Sequence, residues 1–108
     1  MYDNKLASRI RKILFPITPA NEKKLFGGIC FLVDGNMTVG VIKDDLIVRV
    51  GKEKYNTALK LKGAKFFDFT GKPMAGWIMV SPAGCATDKA LEKWIVMAME
   101  FIETLPPK

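Results

Sequence analysis

The stretch LFGGICFLVDGNMTVGVIKDDLIVRV, residues 25 to 50, constrains the fold more than any other part of this chain. It holds three short runs of β-forming residues separated by two polar turns. Asp34-Gly35-Asn36 supplies Gly and Asn, which accept the positive φ of tight hairpins, so Leu25 to Val33 and Met37 to Ile42 are expected to pair antiparallel. Lys43-Asp44-Asp45 then reverses the chain into Leu46 to Val50. In that third run Leu46, Val48 and Val50 alternate with Ile47 and Arg49, the two-residue period of a strand with one fully apolar face. The first run is apolar on both sides, which places it centrally in a sheet or under a helix. Gly27-Gly28 within it reads as a bulge, or as a point where another backbone or a ligand comes close.

The flanks supply cover for that ribbon. From Asp3 as a cap, Leu6, Ile10, Ile13 and Leu14 recur at the spacing of one helical stripe. Pro16 and Pro19 end this helix, and Asn21-Glu22-Lys23-Lys24 reads as loop. Beyond Gly51, the weak pattern of Tyr55, Ala58 and Leu59 predicts a short helix within Lys52 to Leu61, stopped by Gly63. Ala64 to Phe69 and Met74 to Val80 are the next strands, joined by the turn Thr70-Gly71-Lys72-Pro73. Gly76 beside Trp77 predicts an aromatic ring packed where no side chain competes for space. Capped by Thr87 or Asp88, Leu91, Trp94, Ile95, Ala98, Phe101, Ile102 and Leu105 repeat at three and four, and Pro106-Pro107 closes the helix. The expected order is α-βββ-α-ββ-α, a two-layer α+β domain over residues 1–108 with a five-stranded antiparallel sheet and helices on one face, the order of the secretion-chaperone-like folds.

Several strings resemble one family in the same order along nearly the whole chain. Lys23-Lys24-Leu25-Phe26-Gly27-Gly28-Ile29-Cys30-Phe31, the Asp34-Gly35-Asn36 turn and Leu46-Ile47-Val48-Arg49-Val50-Gly51 are similar to the N-terminal domain of the TfoX/Sxy family. Phe69-Thr70-Gly71-Lys72-Pro73-Met74-Ala75-Gly76-Trp77 and the stretch from Leu91-Glu92-Lys93-Trp94 to Leu105-Pro106 resemble it too. Leu25 stands where the family usually has Met in its "MFGG" signature, a volume-conserving exchange. The resemblance implies a regulator of natural competence genes in bacteria, here as a stand-alone segment expected to lack the family's C-terminal helical domain.

Composition removes many alternatives. The 49% hydrophobic and 26% charged residues are ordinary globular proportions, so a disordered chain is not expected. No apolar run approaches the ~20 residues that cross a bilayer, and the N-terminus offers no signal-peptide core, so a cytoplasmic protein without membrane contact is expected. Histidine is absent, which excludes Ser-His-Asp and Cys-His pairs and His-ligated zinc. Cys30 reads as a small core residue. Cys85, before the last helix, reads either as a loop residue without consequence or as a thiol activated by a helix N-terminus. Asp44-Asp45 lacks a third clustered carboxylate, and Ser8 and Ser81 have no partner base. No catalytic, metal or cofactor residue is assigned, and a non-enzymatic protein is expected.

The net charge of +6 is unevenly spread. Lys5, Arg9, Arg11, Lys12, Lys23 and Lys24 outnumber Asp3 and Glu22, and Lys52, Lys54, Lys60, Lys62, Lys65 and Lys72 outnumber Glu53 and Asp68. Lys52, Lys54, Lys60, Lys62 and Lys65 are therefore candidate nucleic-acid contacts, although the excess of lysine over arginine does not favour base recognition. Arg49, the one charged residue inside a β-run, is expected either to pair with Asp44, Asp45 or Asp68 or to hold an acidic group of a partner. The favoured expectation is a protein-interaction module in transcription regulation, with a homodimer possible. Its candidate contacts are Lys23, Lys24, Phe26, Gly27, Gly28 and Arg49, with Met97, Met99 and Phe101 of the last helix. A basic-surface DNA-binding module is the alternative. A small enzyme drawing on Asp44, Asp45, Arg49 or Cys85 is the third.

Overall fold

The computed structural model describes residues 2–25, 27–68, 71 and 73–108. Among them, six strands form one antiparallel sheet: β1 (Asn21–Leu25), β2 (Gly28–Val33), β3 (Asn36–Ile42), β4 (Asp45–Arg49), β5 (Ala64–Phe66) and β6 (Trp77–Val80). Their spatial order is β1-β2-β3-β4-β6-β5. The helices are α1 (Asn4–Leu14), α2 (Tyr55–Ala58) and α3 (Asp88–Ile102), with a 3₁₀ turn at Pro82–Cys85 before the last.

The α+β class is as expected, but the sheet has a sixth strand. Asn21-Glu22-Lys23-Lys24, expected as loop, is most of β1 and pairs with β2 from Asn21↔Leu32 to Leu25↔Gly28. Its polar sequence hides the strand because an outermost strand buries little, and charged side chains there discourage pairing with other chains. Consequently Gly27, at φ 76°, lies in the connection between β1 and β2 and not in a continuous strand. Gly28 fulfils the other expectation made for the pair: a Cβ there would collide with the carbonyl oxygen of Val41. The irregularity in β2 falls instead between Phe31 and Leu32, where its register against β3 shifts.

The two polar turns act as their residues require. Val33 faces Asn36 across Asp34-Gly35, whose φ values of 53° and 80° are those of a two-residue hairpin turn. Ile42 likewise faces Asp45 across Lys43-Asp44. The alternation then sorts side chains to the two faces. Phe31, Val39, Val48 and Ile78 form one cross-strand row, and Ile29, Val41, Leu46 and Val80 the next. Both rows are buried in one cluster with Leu6, Ile10 and Leu14 of α1 and Leu91, Trp94, Ile95, Ala98 and Ile102 of α3. Each such aliphatic side chain contributes about 1.5–3 kcal/mol by leaving water, and this burial holds helices to sheet.

The helix ends follow their capping chemistry. Asp3 Oδ1 accepts from the backbone N–H groups of Lys5 and Leu6 at 2.9 and 3.3 Å, and Thr87 Oγ1 from that of Ala90 at 3.1 Å. The second helix is only four residues long, with no side-chain cap at Lys54 and Ala58 alone fully buried. The β5–β6 hairpin is also shorter than its sequence pattern. Phe67 leaves the ladder to turn inward, and Met74 closes back on it through N–H···O at 3.1 Å. The expected turn at 70–73 lies partly outside the described residues. Among the described residues, no helix is long and apolar enough to cross a membrane.

Candidate functional site

The ends of β4, β6 and α3 enclose a cleft of about 700 Å³, lined in part by Arg49, Gly51, Lys52, Trp77, Glu100 and Phe101. Part of its lining is backbone, at Gly51 and Gly76. The N–H groups of Val50 and Gly51 both donate to the carbonyl of Gly76, at 2.8 and 3.1 Å, which ties the chain leaving β4 to the chain entering β6. Gly51, at φ 84°, sits against the Phe101 ring so closely that a Cβ would overlap it. The ring expected over a glycine is thus Phe101 on Gly51. Gly76 instead faces the backbone of Gly51, 3.3 Å from where its own Cβ would stand.

Arg49 forms one wall. The strand register sets it directly opposite Trp77, so the two side chains project on the same face of the sheet. Its guanidinium carbon lies 5.2 Å from the centre of the Trp77 ring and 5.4 Å from that of Phe101, within cation–π range of both. Trp77 is itself supported by the buried Phe67, ring centres 6.2 Å apart. One N–H of Arg49 reaches the Met37 carbonyl at a long 3.5 Å. Among the described residues no carboxylate comes within ion-pair distance of it. The pairing expected with Asp44, Asp45 or Asp68 is therefore not formed, and Asp45 instead meets Lys65 at 3.6 Å. Burial lowers the guanidinium below its ordinary value, yet an arginine that starts so high stays charged. At the rim Lys54 holds Glu100 at 2.8 Å.

A family model described as the TfoX N-terminal domain matches residues 12–102. This chain belongs to the TfoX N-terminal domain family. No match was found among the curated proteins or among the solved structures. Two of the strings that carry the resemblance, Leu46 to Gly51 and Phe69 to Trp77, are far apart in sequence, and this TfoX N-terminal domain brings their ends, Arg49-Val50-Gly51 and Ala75-Gly76-Trp77, to the one cleft.

The other candidate residues of this TfoX N-terminal domain are scattered. Lys23 and Lys24 are exposed on β1, Gly27 is exposed in the turn after it, and Gly28 is buried; Phe26 lies outside the described residues. Two strands, β2 and β3, separate this edge from β4. Of the helix residues, Phe101 lines the cleft and Met97 is half-buried. Met99 is 8% exposed and belongs to the core, which corrects its expected place on a contact surface. It falls on the helix face that looks at the sheet, next to Ile95, Ala98 and Ile102.

Lys52, Lys54, Lys60, Lys62 and Lys65 are all exposed. Two of them, Lys54 and Lys65, are matched by carboxylates. Two cations of the first helix are matched too: Arg9 pairs with Asp88 at 3.0 Å, and Arg11 holds Glu22 through two bonds of 2.7 Å. Cys85 is buried at the end of the 3₁₀ turn, two residues before the helix cap, with its Sγ 3.7 Å from the Ser81 carbonyl. Burial pushes its thiol up, and the nearby Arg9 opposes this only in part. The activated-thiol alternative for Cys85 does not survive. Among the described residues, no three His, Cys, Asp or Glu side chains cluster as metal ligands.

Proposed function

We propose that this chain is a non-enzymatic protein-interaction module acting in the regulation of transcription, and that it takes its partner at the Arg49 cleft. The observation that supports this most is a half-buried arginine braced by two aromatic rings and left without a carboxylate among the described residues. Arginine and aromatic residues are the types that dominate binding energy at protein interfaces, and they do so where they are already held in place. Membership of the TfoX N-terminal domain family supports the regulatory part of this reading, through the resemblance to competence regulators. A tagged protein and its Arg49→Gln and Trp77→Ala variants, each shown to be folded, are used to capture partners from bacterial cytoplasm. The expected result is a protein bound by the parent chain and lost with both variants. Capture of the same proteins by all three, or product formation in a turnover assay, would refute the proposal.

A second reading is supported by Lys52, Lys60 and Lys62, which are exposed and have no carboxylate at ion-pair distance among the described residues. Three such cations attract a polyanion, and binding to duplex DNA would then weaken steeply with salt. Neutralising these three lysines should abolish that salt dependence. Absence of binding at low salt ends this reading.

A further inference from the structure

The Arg49 cleft has a chemistry that narrows the partner, and the step from cleft to partner rests on the interaction reading above. The guanidinium carbon lies over both aromatic rings and one N–H meets the Met37 carbonyl at 3.5 Å, so the rest of its N–H edge remains for a ligand. That edge is a planar fork matched to a planar, two-oxygen acceptor. Trp77, Phe101, Ala75 and the backbone of Gly51 and Gly76 give the rest of the cleft an apolar character suited to a ring or a branched aliphatic group. The charge at the mouth selects among anions. Lys52 adds a second cation, Lys54 is engaged by Glu100, and Glu53 and Glu100 also line the cleft. Two carboxylates in the lining oppose a dianionic phosphate more strongly than a monoanionic carboxylate. A space of about 700 Å³ accepts two or three side chains and is far too small for the width of a duplex.

We infer that the cleft binds an acidic peptide segment of the partner, with a Glu or Asp carboxylate on the Arg49 fork and a neighbouring aromatic or aliphatic side chain against Trp77 and Phe101. The segment presents its carboxylate without a bonded competitor, because Lys54 holds Glu100 and, among the described residues, no carboxylate of the chain comes within ion-pair distance of Arg49.

The protein carries its own reporter. Trp94 is 3% exposed in the core, whereas Trp77 is half-buried in the cleft, so a ligand there changes the fluorescence of Trp77 alone. The probe is a fluorescein-labelled peptide of alternating phenylalanine and glutamate, compared with the same peptide carrying glutamine and with one carrying phosphoserine. The expected result is binding of the glutamate peptide, seen by anisotropy and, for an unlabelled copy, by Trp77 emission. The glutamine peptide should bind at least about ten-fold more weakly, the size of a lost charge-assisted hydrogen bond. Arg49→Gln should cost at least as much, Arg49→Lys should not restore it, and Lys12→Gln, exposed on α1 and outside the cleft lining, should leave it unchanged. Since Arg49 substitutions perturb a braced side chain, Lys52→Gln at the rim serves as the second variant, with an expected loss of about three-fold. Equal affinity for the glutamate and glutamine peptides, or tighter binding of the phosphoserine peptide, overturns the carboxylate assignment. If a cytoplasmic partner is still lost with Arg49→Gln while no peptide binds, this inference fails and the interaction reading stands. If neither occurs, both fail.

Discussion

Gly51 lies under the ring of Phe101, so close that a Cβ on the glycine would overlap the ring. Two costs therefore add in Gly51→Ala: the strain of an L-residue at φ 84°, and the displacement of a ring packed against the core. Together they should remove about 2–4 kcal/mol of stability, read as a lower urea midpoint at unchanged slope. Adding Phe101→Ala to this variant removes the overlap but not the backbone strain. The double variant should then be less destabilised than the sum of the two single ones. Strict additivity would show that the two residues do not touch in solution.

Tyr55 presents the opposite situation, a ring in a suitable place with an ill-suited hydroxyl. Its ring packs on the core, while its buried oxygen has no hydrogen-bond partner among the described residues. Leaving water without a replacement partner costs free energy, so Tyr55→Phe should raise stability by about 0.5–1 kcal/mol. Chemical denaturation measures this directly. A loss of stability in the variant would mean that the hydroxyl is satisfied after all.

These relationships differ in how far the sequence discloses them. The β2–β3–β4 meander is legible because local signals agree: alternation gives the faces, and Asp34-Gly35 and Lys43-Asp44 supply the turns. The helix caps at Asp3 and Thr87 are legible for the same reason. β1 is not, because an edge strand needs no apolar pattern, and its pairing with β2 is not written in Asn21-Glu22-Lys23-Lys24. The cleft is partly legible. Arg49 stands out as a charge inside an apolar run, but its contact with Trp77 depends on β6 entering the sheet beside β4, a non-local choice. Phe101 reaches it from a helix that begins far along the chain, and the only local trace of that contact is the glycine at position 51. The core position of Met99 is not legible, because an apolar arc wider than one stripe does not say which of its edges faces the sheet.

Arg11 and Glu22 link α1 to the edge strand through a two-pronged pair, Nε to Oε2 and Nη2 to Oε1, both 2.7 Å. The hydrogen bonds from Arg11 hold the Glu22 carboxyl below its ordinary value, against the opposing effect of burial. A carboxylate with a depressed folded-state value stabilises the fold above its unfolded value, and this contribution disappears as the pH falls through the folded one. Both side chains are about a third exposed, so the pair is worth only about 0.5–1 kcal/mol. Glu22→Gln should lose that amount at neutral pH and match the parent protein at pH well below the carboxylate range. Urea midpoints measured from pH 7 downward test the convergence. A constant difference across the range would assign the effect to packing instead of charge.

Both thiols are buried, Cys30 with its Sγ 3.3 Å from the Lys23 carbonyl and Cys85 with its Sγ 3.7 Å from that of Ser81. Burial is the largest influence on each and raises both above the ordinary thiol value; Lys23 and Arg9 respectively pull the other way. Only the thiolate attacks a disulfide reagent, so a raised value and a closed surface act in the same direction. At mildly alkaline pH the folded protein should react with an aromatic disulfide at least about a hundred-fold more slowly than the chain in urea. The same shift makes stability pH-dependent. It is full below the unfolded thiol value and declines as the pH rises through it toward the folded-state value, because the unfolded chain ionises first. Replacing both cysteines with alanine should flatten that alkaline decline while lowering stability at pH 7 through lost packing. A fast reaction at Cys85 in the folded protein would return it to the list of reactive groups and place an opening motion at the 3₁₀ turn.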